Sequence, residues 1–228
     1  MDTDDRIFET GELEIIGRLV DASNASLLCK LPNELKVIYK PIAGERPLWD
    51  FPDGNLASRE VAAFYISEVG EFDVVPKTVL REGPFGIGAI QQWIETSEAA
   101  DVIAMAQSDH PQIRNLALFD IVINNADRKF GHILITPDGQ IFGCDHGVSL
   151  HEENKLRTVI WQFAEQKLTS EEIAKLKDLI SKIDLNHLAK FLSAEEIAAF
   201  LQRVQGLIED GRFSSPNPNW PAVPWPPY

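Results

Sequence analysis

Residues 124–145, NNADRKFGHILITPDGQIFGCD, carry the pattern from which the fold of this chain is interpreted. Two short apolar runs, residues 133–135 and 141–143, are separated by the sequence TPDGQ. Pro-Asp-Gly is a strong turn signal, because proline sets the first turn angle and glycine accepts a left-handed one. The segment therefore predicts a β-hairpin.

The two ends of this hairpin carry residues that can bind a metal. If the chain folds about the midpoint between Asp138 and Gly139, His132 lies opposite Asp145. Directly opposed residues have Cβ atoms about 5 Å apart. A carboxylate and an imidazole at that distance can share one divalent cation, so we predict a metal site at the open end of the hairpin.

A polar loop precedes the hairpin and must lie at the same open end. It contains Asn124, Asn125, Asp127, Arg128 and Lys129. Together with His132 and Asp145, these residues suit a centre where a metal offsets phosphate charge and a carboxylate orients a hydroxyl. An ordinary helix-to-hairpin connection with solvated polar residues is the alternative, and the convergence of the whole set favours a function.

Composition limits the classes of partner. The 228 residues are 44% hydrophobic and can form one large domain or two packed lobes. The net charge of −14 argues against binding nucleic acid or an anionic membrane surface, since both need clustered cations. The two cysteines, Cys29 and Cys144, lack the spacing of a zinc site or a disulfide framework.

The sequence contains no pattern typical of a membrane or secreted protein. Its longest apolar stretches, such as residues 116–123 and 183–192, are well below the ~20 residues that a membrane span needs. The acidic start, MDTDDRIFETGELE, lacks the basic and apolar regions of a secretory signal. We therefore expect a cytoplasmic protein without stable membrane association.

The first half of the chain is rich in predicted strands. They fall at residues 11–19, 25–31, 35–40, 75–80 and 88–94. Asn55 is placed to cap a helix that contains SREVAAFYISE, between the third and fourth strands.

The second half is mainly helical. Residues 113–125 are apolar with helical length, two capping boxes occur at Thr169/Glu172 and Ser193/Glu196, and Gly211 ends the last helix. We predict an α+β, two-lobed architecture with an N-terminal lobe at residues 1–95 and a helical lobe at 96–213. Residues 214–228 contain six prolines and two tryptophans and form an extended tail that either packs on the body or stays loose.

The run DIVINNADRKFGHILI followed by GCDHG resembles the catalytic core of the phosphatidylinositol 3- and 4-kinase family, including a group of small bacterial proteins similar to it. The resemblance implies a two-lobed protein-kinase-like fold that uses ATP and Mg²⁺ or Mn²⁺. By position it implies that Asp127 is the catalytic carboxylate, Arg128 its neighbour in the motif, and Asp145 a metal ligand. His132 falls where the family has a metal-binding asparagine, and imidazole favours softer metals than magnesium.

The resemblance to kinase-like folds also implies a set of residues that bind the phosphates and the adenine of ATP. Lys40 ends the third strand and Glu60 lies on the next helix, the positions of the phosphate-holding lysine and its partner. The turn carrying Ser23 and Asn24 is placed to lie over phosphates or to be a plain hairpin turn. The sequence of Gln91, Gln92, Trp93 and Ile94 resembles the hinge that holds adenine, although Trp93 is equally consistent with a core residue.

Three functions fit these residues. The first is an ATP-dependent kinase acting on a protein or small-molecule hydroxyl. A phosphoinositide acceptor is disfavoured, because Lys155 and Arg157 after the DHG motif are offset by Glu152 and Glu153. The second is a nucleotide-binding pseudokinase without transfer, and the third, ranked last, is a metal-dependent hydrolase.

Overall fold

The computed structural model describes residues 3–19, 24–51 and 54–228. Within these ranges, five antiparallel strands form a sheet in the order β1-β2-β3-β5-β4. They are β1 Glu14–Arg18, β2 Leu27–Lys30, β3 Lys36–Pro41, β4 Thr78–Gly83 and β5 Gly86–Gln92. The five predicted strands are therefore present, and the largest shifts are at β1 and β4, each of which begins three residues later than predicted.

A short helix that the sequence pattern did not predict, α1 Thr3–Thr10, packs beside this sheet. Phe8 of α1 joins Tyr39 and Ile90 in a buried cluster. Arg81 on β4 donates to the carbonyls of Phe8 at 3.1 Å and Gly11 at 2.8 Å. The first strand begins at residue 14 rather than at the predicted residue 11, because α1 ends at Thr10 and the Gly11 amide still donates to the Ile7 carbonyl at 2.7 Å.

Helix α2, Leu56–Val69, connects β3 to β4 and begins at the predicted cap. The Asn55 side chain accepts a hydrogen bond from the Ser58 amide at 2.7 Å. The Glu45 carboxylate accepts from the amides of Leu56 at 2.9 Å and Ala57 at 2.8 Å. These three amides have no partner inside the helix, so their capping fixes where α2 starts.

The rest of the chain is mainly helical. Its helices are α3 Val102–Ala106, α4 Pro111–Val122, α5 Ser170–Lys182, α6 Leu185–Leu188 and α7 Ala194–Asp210. Both capping boxes are confirmed, at the starts of α5 and α7. Gly211 follows α7 with a left-handed φ of 61°, a conformation that suits glycine.

Helix α4 is the central element of the helical lobe. It ends at Val122 rather than at the predicted residue 125, and Asn124 adopts a positive φ of 52°. Leu116 and Phe119 of α4 are fully buried in one cluster with Leu176 of α5 and Phe200 of α7. Burying one such side chain contributes about 1.5 to 3 kcal/mol, so these contacts anchor the segment that follows α4.

The predicted hairpin is present, formed by β6 Ile133–Ile135 and β7 Ile141–Gly143. Ile133 pairs with Gly143, and continuing this register places His132 opposite Cys144. The Cys144 amide donates to the His132 carbonyl at 3.0 Å. The prediction that His132 directly opposes Asp145 is therefore wrong by one residue.

The loop length explains this difference. The Thr136 amide donates to the Gln140 carbonyl at 2.9 Å, so the loop has three residues and is centred on Asp138. Gly139 has a φ of 86°, as expected at the last position of a three-residue hairpin loop. The prediction assumed a loop with an even number of residues.

The proline-rich tail, residues 214–228, packs on the body of the protein. The Ala222 carbonyl accepts from the Thr158 amide at 3.0 Å and from the Trp161 indole at 2.8 Å. The Pro227 carbonyl accepts from the Phe130 amide at 2.9 Å. Of the two alternatives for this tail, the structure therefore shows the packed one.

In the part of the chain that the structure describes, no helix combines the length and apolar composition needed to cross a membrane.

Candidate active site

A cleft of about 230 Å³ lies where β3, the start of α2 and the segment after the hairpin meet. Residues that line it include Asn24, Lys40, Glu60, Asp127, Asp145 and Arg157. Five of the predicted site residues, Asn24, Lys40, Glu60, Asp127 and Asp145, therefore line one cavity, although they come from distant parts of the chain.

Lys40 on β3 connects both sides of this cleft. Its Nζ contacts Glu60 Oε1 on α2 and lies 2.9 Å from Asp145 Oδ1. The side chain of Lys40 is 18% exposed and that of Glu60 only 3%. Burial opposes the charge on Lys40, but Asp145 and Glu60 outweigh it and raise the pKa of the amine. Lys40 therefore remains protonated and available to a phosphate.

Glu60 also holds the segment that carries Asp145. Its second carboxylate oxygen accepts from the His146 amide at 3.1 Å. One buried carboxylate thus fixes Lys40 with one oxygen and the DHG backbone with the other. This arrangement couples the sheet-rich lobe to the side of the cleft that carries Asp145.

Asp127, His132 and Asp145 form a group that can hold a metal ion. One ligand atom from each side chain lies within 4.8 Å of the others. His132 Nε2 is 3.5 Å from Asp145 Oδ2. Asp145 has a positive φ of 59°, so it leaves the strand conformation, and its carboxylate reaches His132 despite the shifted register.

The histidine is oriented for metal binding. Its Nδ1 lies 2.8 Å from the Asp127 carbonyl, which can only accept, so Nδ1 carries the proton and Nε2 the lone pair. Burial, opposed by the Asp145 carboxylate, lowers the pKa of His132, and the ring is neutral at pH 7. A backbone carbonyl holding the second ring nitrogen is the usual support for a metal-binding histidine.

Asp145 is the most exposed of the three, with 48% of its side chain accessible. The ammonium group of Lys40 is the main reason that the pKa of Asp145 lies well below its ordinary value. The carboxylate is therefore ionised at neutral pH. Two carboxylates and one neutral imidazole fit a divalent cation such as Mg²⁺ or Mn²⁺ chemically.

The two asparagines of the motif hold the loop rather than face the cleft. The Asn124 amide donates to the carbonyls of His151 at 3.0 Å and Glu153 at 2.6 Å. Asn125 donates to Asp120 at 2.9 Å and accepts from the Asp127 amide at 3.0 Å. Asn125 therefore positions the backbone of the proposed catalytic aspartate.

Arg128, predicted to neighbour the catalytic aspartate, is fully buried beneath the site. It forms an ion pair with Asp120 at 2.9 Å, and both side chains are 0% exposed. Its Nη1 donates to the carbonyls of His132 at 3.0 Å and Cys144 at 3.1 Å. Arg128 thus holds together the open end of the hairpin and does not line the cleft.

Asp120 was missed by the sequence interpretation. The sequence feature that could have revealed it is a single carboxylate inside the apolar stretch LALFDIVI, which begins in α4. A charge in such a stretch needs a buried partner, and Arg128 is that partner.

Of the two turn residues predicted to lie over the nucleotide phosphates, one is found at the cleft. Asn24 lines it, and its side chain accepts from the Arg46 amide at 2.9 Å. Ser23 lies outside the described residues.

The residues of the predicted hinge, Gln92, Trp93 and Ile94, are not among those that line the cleft. The amide of Gln92 donates to the Lys77 carbonyl at 2.8 Å, and that of Trp93 donates to the Lys36 carbonyl at 3.1 Å.

Comparison with solved structures identifies the fold. The crystal structure of the Golgi casein kinase with Mn/ADP bound aligns with a TM-score of 0.59 and 12% identity, covering 91% of this chain and 74% of that one. The Helicobacter pylori proinflammatory kinase CtkA aligns with a TM-score of 0.54 and 13% identity, covering 90% of this chain and 94% of that one. The predicted α+β, two-lobed protein-kinase-like fold is confirmed.

Similarity to a phosphatidylinositol kinase is local. Phosphatidylinositol 4-kinase gamma 4 of Oryza sativa subsp. japonica is 27% identical over 129 residues, which cover 48% of this chain and 23% of that protein. This match does not establish membership of that family. No protein-family model matches the sequence.

A relative similar along its whole length is Protein Rv2133c of Mycobacterium tuberculosis. It is 37% identical over 266 aligned positions, which cover 99% of this chain and 95% of that protein. The similarity therefore extends through both lobes and the tail. This chain belongs to the same family as Protein Rv2133c.

Proposed function

We propose that this chain is an ATP-dependent phosphotransferase that moves the γ-phosphate to a hydroxyl group of a protein or small molecule, with Mg²⁺ or Mn²⁺. In this proposal residues 1–95 bind the nucleotide and residues 96–213 carry the catalytic groups. The observation that supports it most is that Asp145 contacts both Lys40, at 2.9 Å, and His132, at 3.5 Å. A phosphate-binding cation and the metal ligands therefore share one carboxylate.

The reaction follows from the placement of these groups. Asp127 accepts the proton of the acceptor hydroxyl, the acceptor oxygen bonds to the γ-phosphorus, and the bond between that phosphorus and the bridging oxygen of ADP breaks. Lys40 offsets charge on the nucleotide phosphates, while Glu60 keeps its ammonium in place. Asp145 and His132 would hold a divalent ion, which would offset further phosphate charge.

Two comparisons support the proposal without extending it to an acceptor. The crystal structure of the Golgi casein kinase, which shares this fold, has Mn/ADP bound. The local match to the rice phosphatidylinositol 4-kinase supports placing this chain in the wider superfamily of those kinases. A pseudokinase that binds nucleotide without transfer is the second candidate, favoured by His132 at a position where asparagine is expected.

The proposal is tested with ATP labelled at the α or the γ position, incubated with the protein and either metal. Transfer of the γ label to protein or to added acceptors is the expected result, and α label appearing in product would indicate nucleotidyl transfer instead. Asp127→Asn should lower γ transfer by about 10²- to 10³-fold, because it removes the proton acceptor.

Asp101→Asn is the matched control, since Asp101 caps α3 through an oxygen that asparagine also provides. It should leave transfer unchanged. Unaltered ATP consumption in the Asp127 variant would refute the proposed role of Asp127. Nucleotide binding with no transfer by the unmodified protein would favour the pseudokinase.

His132 should determine which metal supports the reaction. His132→Asn replaces an imidazole with an amide oxygen, a ligand that Mg²⁺ accepts more readily. We expect the ratio of the Mg²⁺-supported to the Mn²⁺-supported rate to rise by about tenfold, the effect typical of altering a metal environment. The measurement is the initial rate of ATP turnover at saturating concentrations of each metal.

His110→Asn makes the same chemical change away from the cleft. His110 caps α4, a role that asparagine fulfils well, so this control should keep the original ratio. A ratio that does not change in His132→Asn would argue against His132 as a ligand.

A further inference from the structure

The cleft contains three cations among the described residues, Lys40, Arg46 and Arg157. Lys40 is paired with Glu60 and Asp145. Within residues 24–51 and 54–228, no ion pair is found for either arginine. A nucleoside triphosphate has more negative charge than Lys40 and one divalent ion can offset, so an arginine is available for the remainder.

Arg157 is the arginine whose guanidinium is held in place. Its Nε donates to the Ala126 carbonyl at 2.6 Å. Ala126 directly precedes Asp127, so this bond places the guanidinium beside the proposed catalytic loop. Among the described residues, neither terminal amino group of Arg157 donates a hydrogen bond. A planar guanidinium binds phosphate oxygens in pairs, so these groups suit an anion.

The tail contacts the same guanidinium through an aromatic ring. Arg157 Cζ lies 5.3 Å from the centre of the Trp220 ring, within the range of a cation–π contact. The Trp220 indole donates to the Lys155 carbonyl at 3.0 Å. Trp220 therefore contacts both the side chain of Arg157 and the backbone two residues before it.

The tail is anchored on both sides of Trp220. Asn217 donates to the Asn154 carbonyl at 3.3 Å, and the Ala222 carbonyl accepts from the Thr158 amide at 3.0 Å. These bonds flank the segment that carries Arg157. The tail thus fixes the position of Trp220, and Trp220 limits the orientations that Arg157 can adopt.

We infer that Arg157 binds the γ-phosphate of the nucleotide and that the tail, through Trp220, is a positioning element for Arg157. The inference rests on the proposed function, because only a kinase-like use of the cleft brings a γ-phosphate between the metal ligands and Asp127. Arg157 is fixed to the carbonyl that adjoins Asp127, which is the end of the cleft where that phosphate must lie.

Binding of two nucleotides that differ only in the γ-phosphate tests the inference. Calorimetry with Mn²⁺ compares ADP with the non-hydrolysable β,γ-imido analogue of ATP. Arg157→Gln should weaken binding of the analogue by about tenfold, the loss expected for a charge-assisted pair, and binding of ADP by less than about twofold. Trp220→Leu should show the same selectivity with a smaller loss, while Trp220→Phe retains a ring and most of the affinity.

Trp225→Leu is the matched control, because Trp225 is in the same tail and 89% exposed. It should bind both nucleotides like the unmodified protein. Since Trp220 acts through Arg157, the Arg157→Gln/Trp220→Leu double variant should bind the analogue no more weakly than Arg157→Gln alone. Arg157→Gln leaves the tail intact, so the inference remains testable if Trp220→Leu does not fold.

The inference would be overturned if Arg157→Gln weakened the binding of ADP and of the analogue equally, or weakened the binding of neither. Either result would point to the acceptor as the source of any anion bound by Arg157. An unmodified protein that binds neither nucleotide would overturn it as well. Failure of the proposed function appears separately, as absence of γ-label transfer by a protein that still distinguishes the two nucleotides.

Discussion

Asp145→Asn should lower phosphoryl transfer by about 10³-fold or more, the largest effect on activity expected from any single change in this protein. Asp145 contacts Lys40 at 2.9 Å and His132 at 3.5 Å, so one substitution removes the charge of a proposed metal ligand and a partner of the proposed phosphate-binding lysine. Asp127→Asn removes one proton acceptor, and we therefore expect its effect to be no larger.

Asparagine is the appropriate replacement at this position. Asp145 has a φ of 59°, a left-handed conformation that asparagine tolerates far better than alanine. The amide also keeps the shape of the carboxylate. A loss of activity in Asp145→Asn can therefore be assigned to the missing charge and not to backbone strain.

The measurement is the single-turnover rate of γ-phosphate transfer at saturating Mn²⁺, with circular dichroism to check the fold. Asp138→Asn is the control, since Asp138 lies on the exposed loop of the same hairpin and asparagine suits that turn. It should transfer phosphate at the unmodified rate. A reduction of less than about tenfold in Asp145→Asn would exclude Asp145 as an essential metal ligand.

Arg128→Met should reduce the free energy of unfolding by about 3 to 5 kcal/mol, which is the cost of leaving a buried charge without its partner. Asp120 and Arg128 are both 0% exposed and form an ion pair at 2.9 Å. Arg128 also donates to the carbonyls of His132 and Cys144 and contacts His146 Nε2 at 2.7 Å. Methionine fills much of the volume but satisfies none of these groups.

Urea unfolding followed by fluorescence gives the free energy. Adding Asp120→Asn to Arg128→Met should recover part of the loss, because the uncompensated carboxylate is then gone. Removing the exposed pair between Lys36 and Glu95 is the control and should leave the unfolding midpoint essentially unchanged. A loss below about 1 kcal/mol in Arg128→Met would contradict the inference that the buried pair supports the hairpin.

The hairpin shows which features of a site local sequence patterns can predict and which they cannot. Pro-Asp-Gly correctly predicted the turn and brought His132 and Asp145 to one end. The register was one residue off, because Asp-Gly suits both two-residue loops and three-residue loops that end in a left-handed glycine. The two side chains meet because of the positive φ at Asp145, which no turn signal indicates.

Arg128 shows that a sequence motif does not predict whether a residue faces the cleft or is buried beneath it. The motif drew attention to this arginine because it follows Asp127, and a position on the catalytic surface was expected. In the structure it is buried against Asp120, eight residues earlier on α4. The apolar surroundings of Asp120 were visible in the sequence, but the pairing depends on how α4 and the hairpin pack.

The sequence by itself determined the helix caps, the hairpin turn, the sheet-rich and helical halves, and the set of polar residues between Asn124 and Asp145. Each of these depends on neighbours within a few positions, so local conformational preferences suffice. The tertiary structure alone decided that Lys40 reaches Asp145, 105 residues away, and that the tail covers Arg157. Such contacts form only when burial of the common core brings the lobes together, and no local preference specifies them.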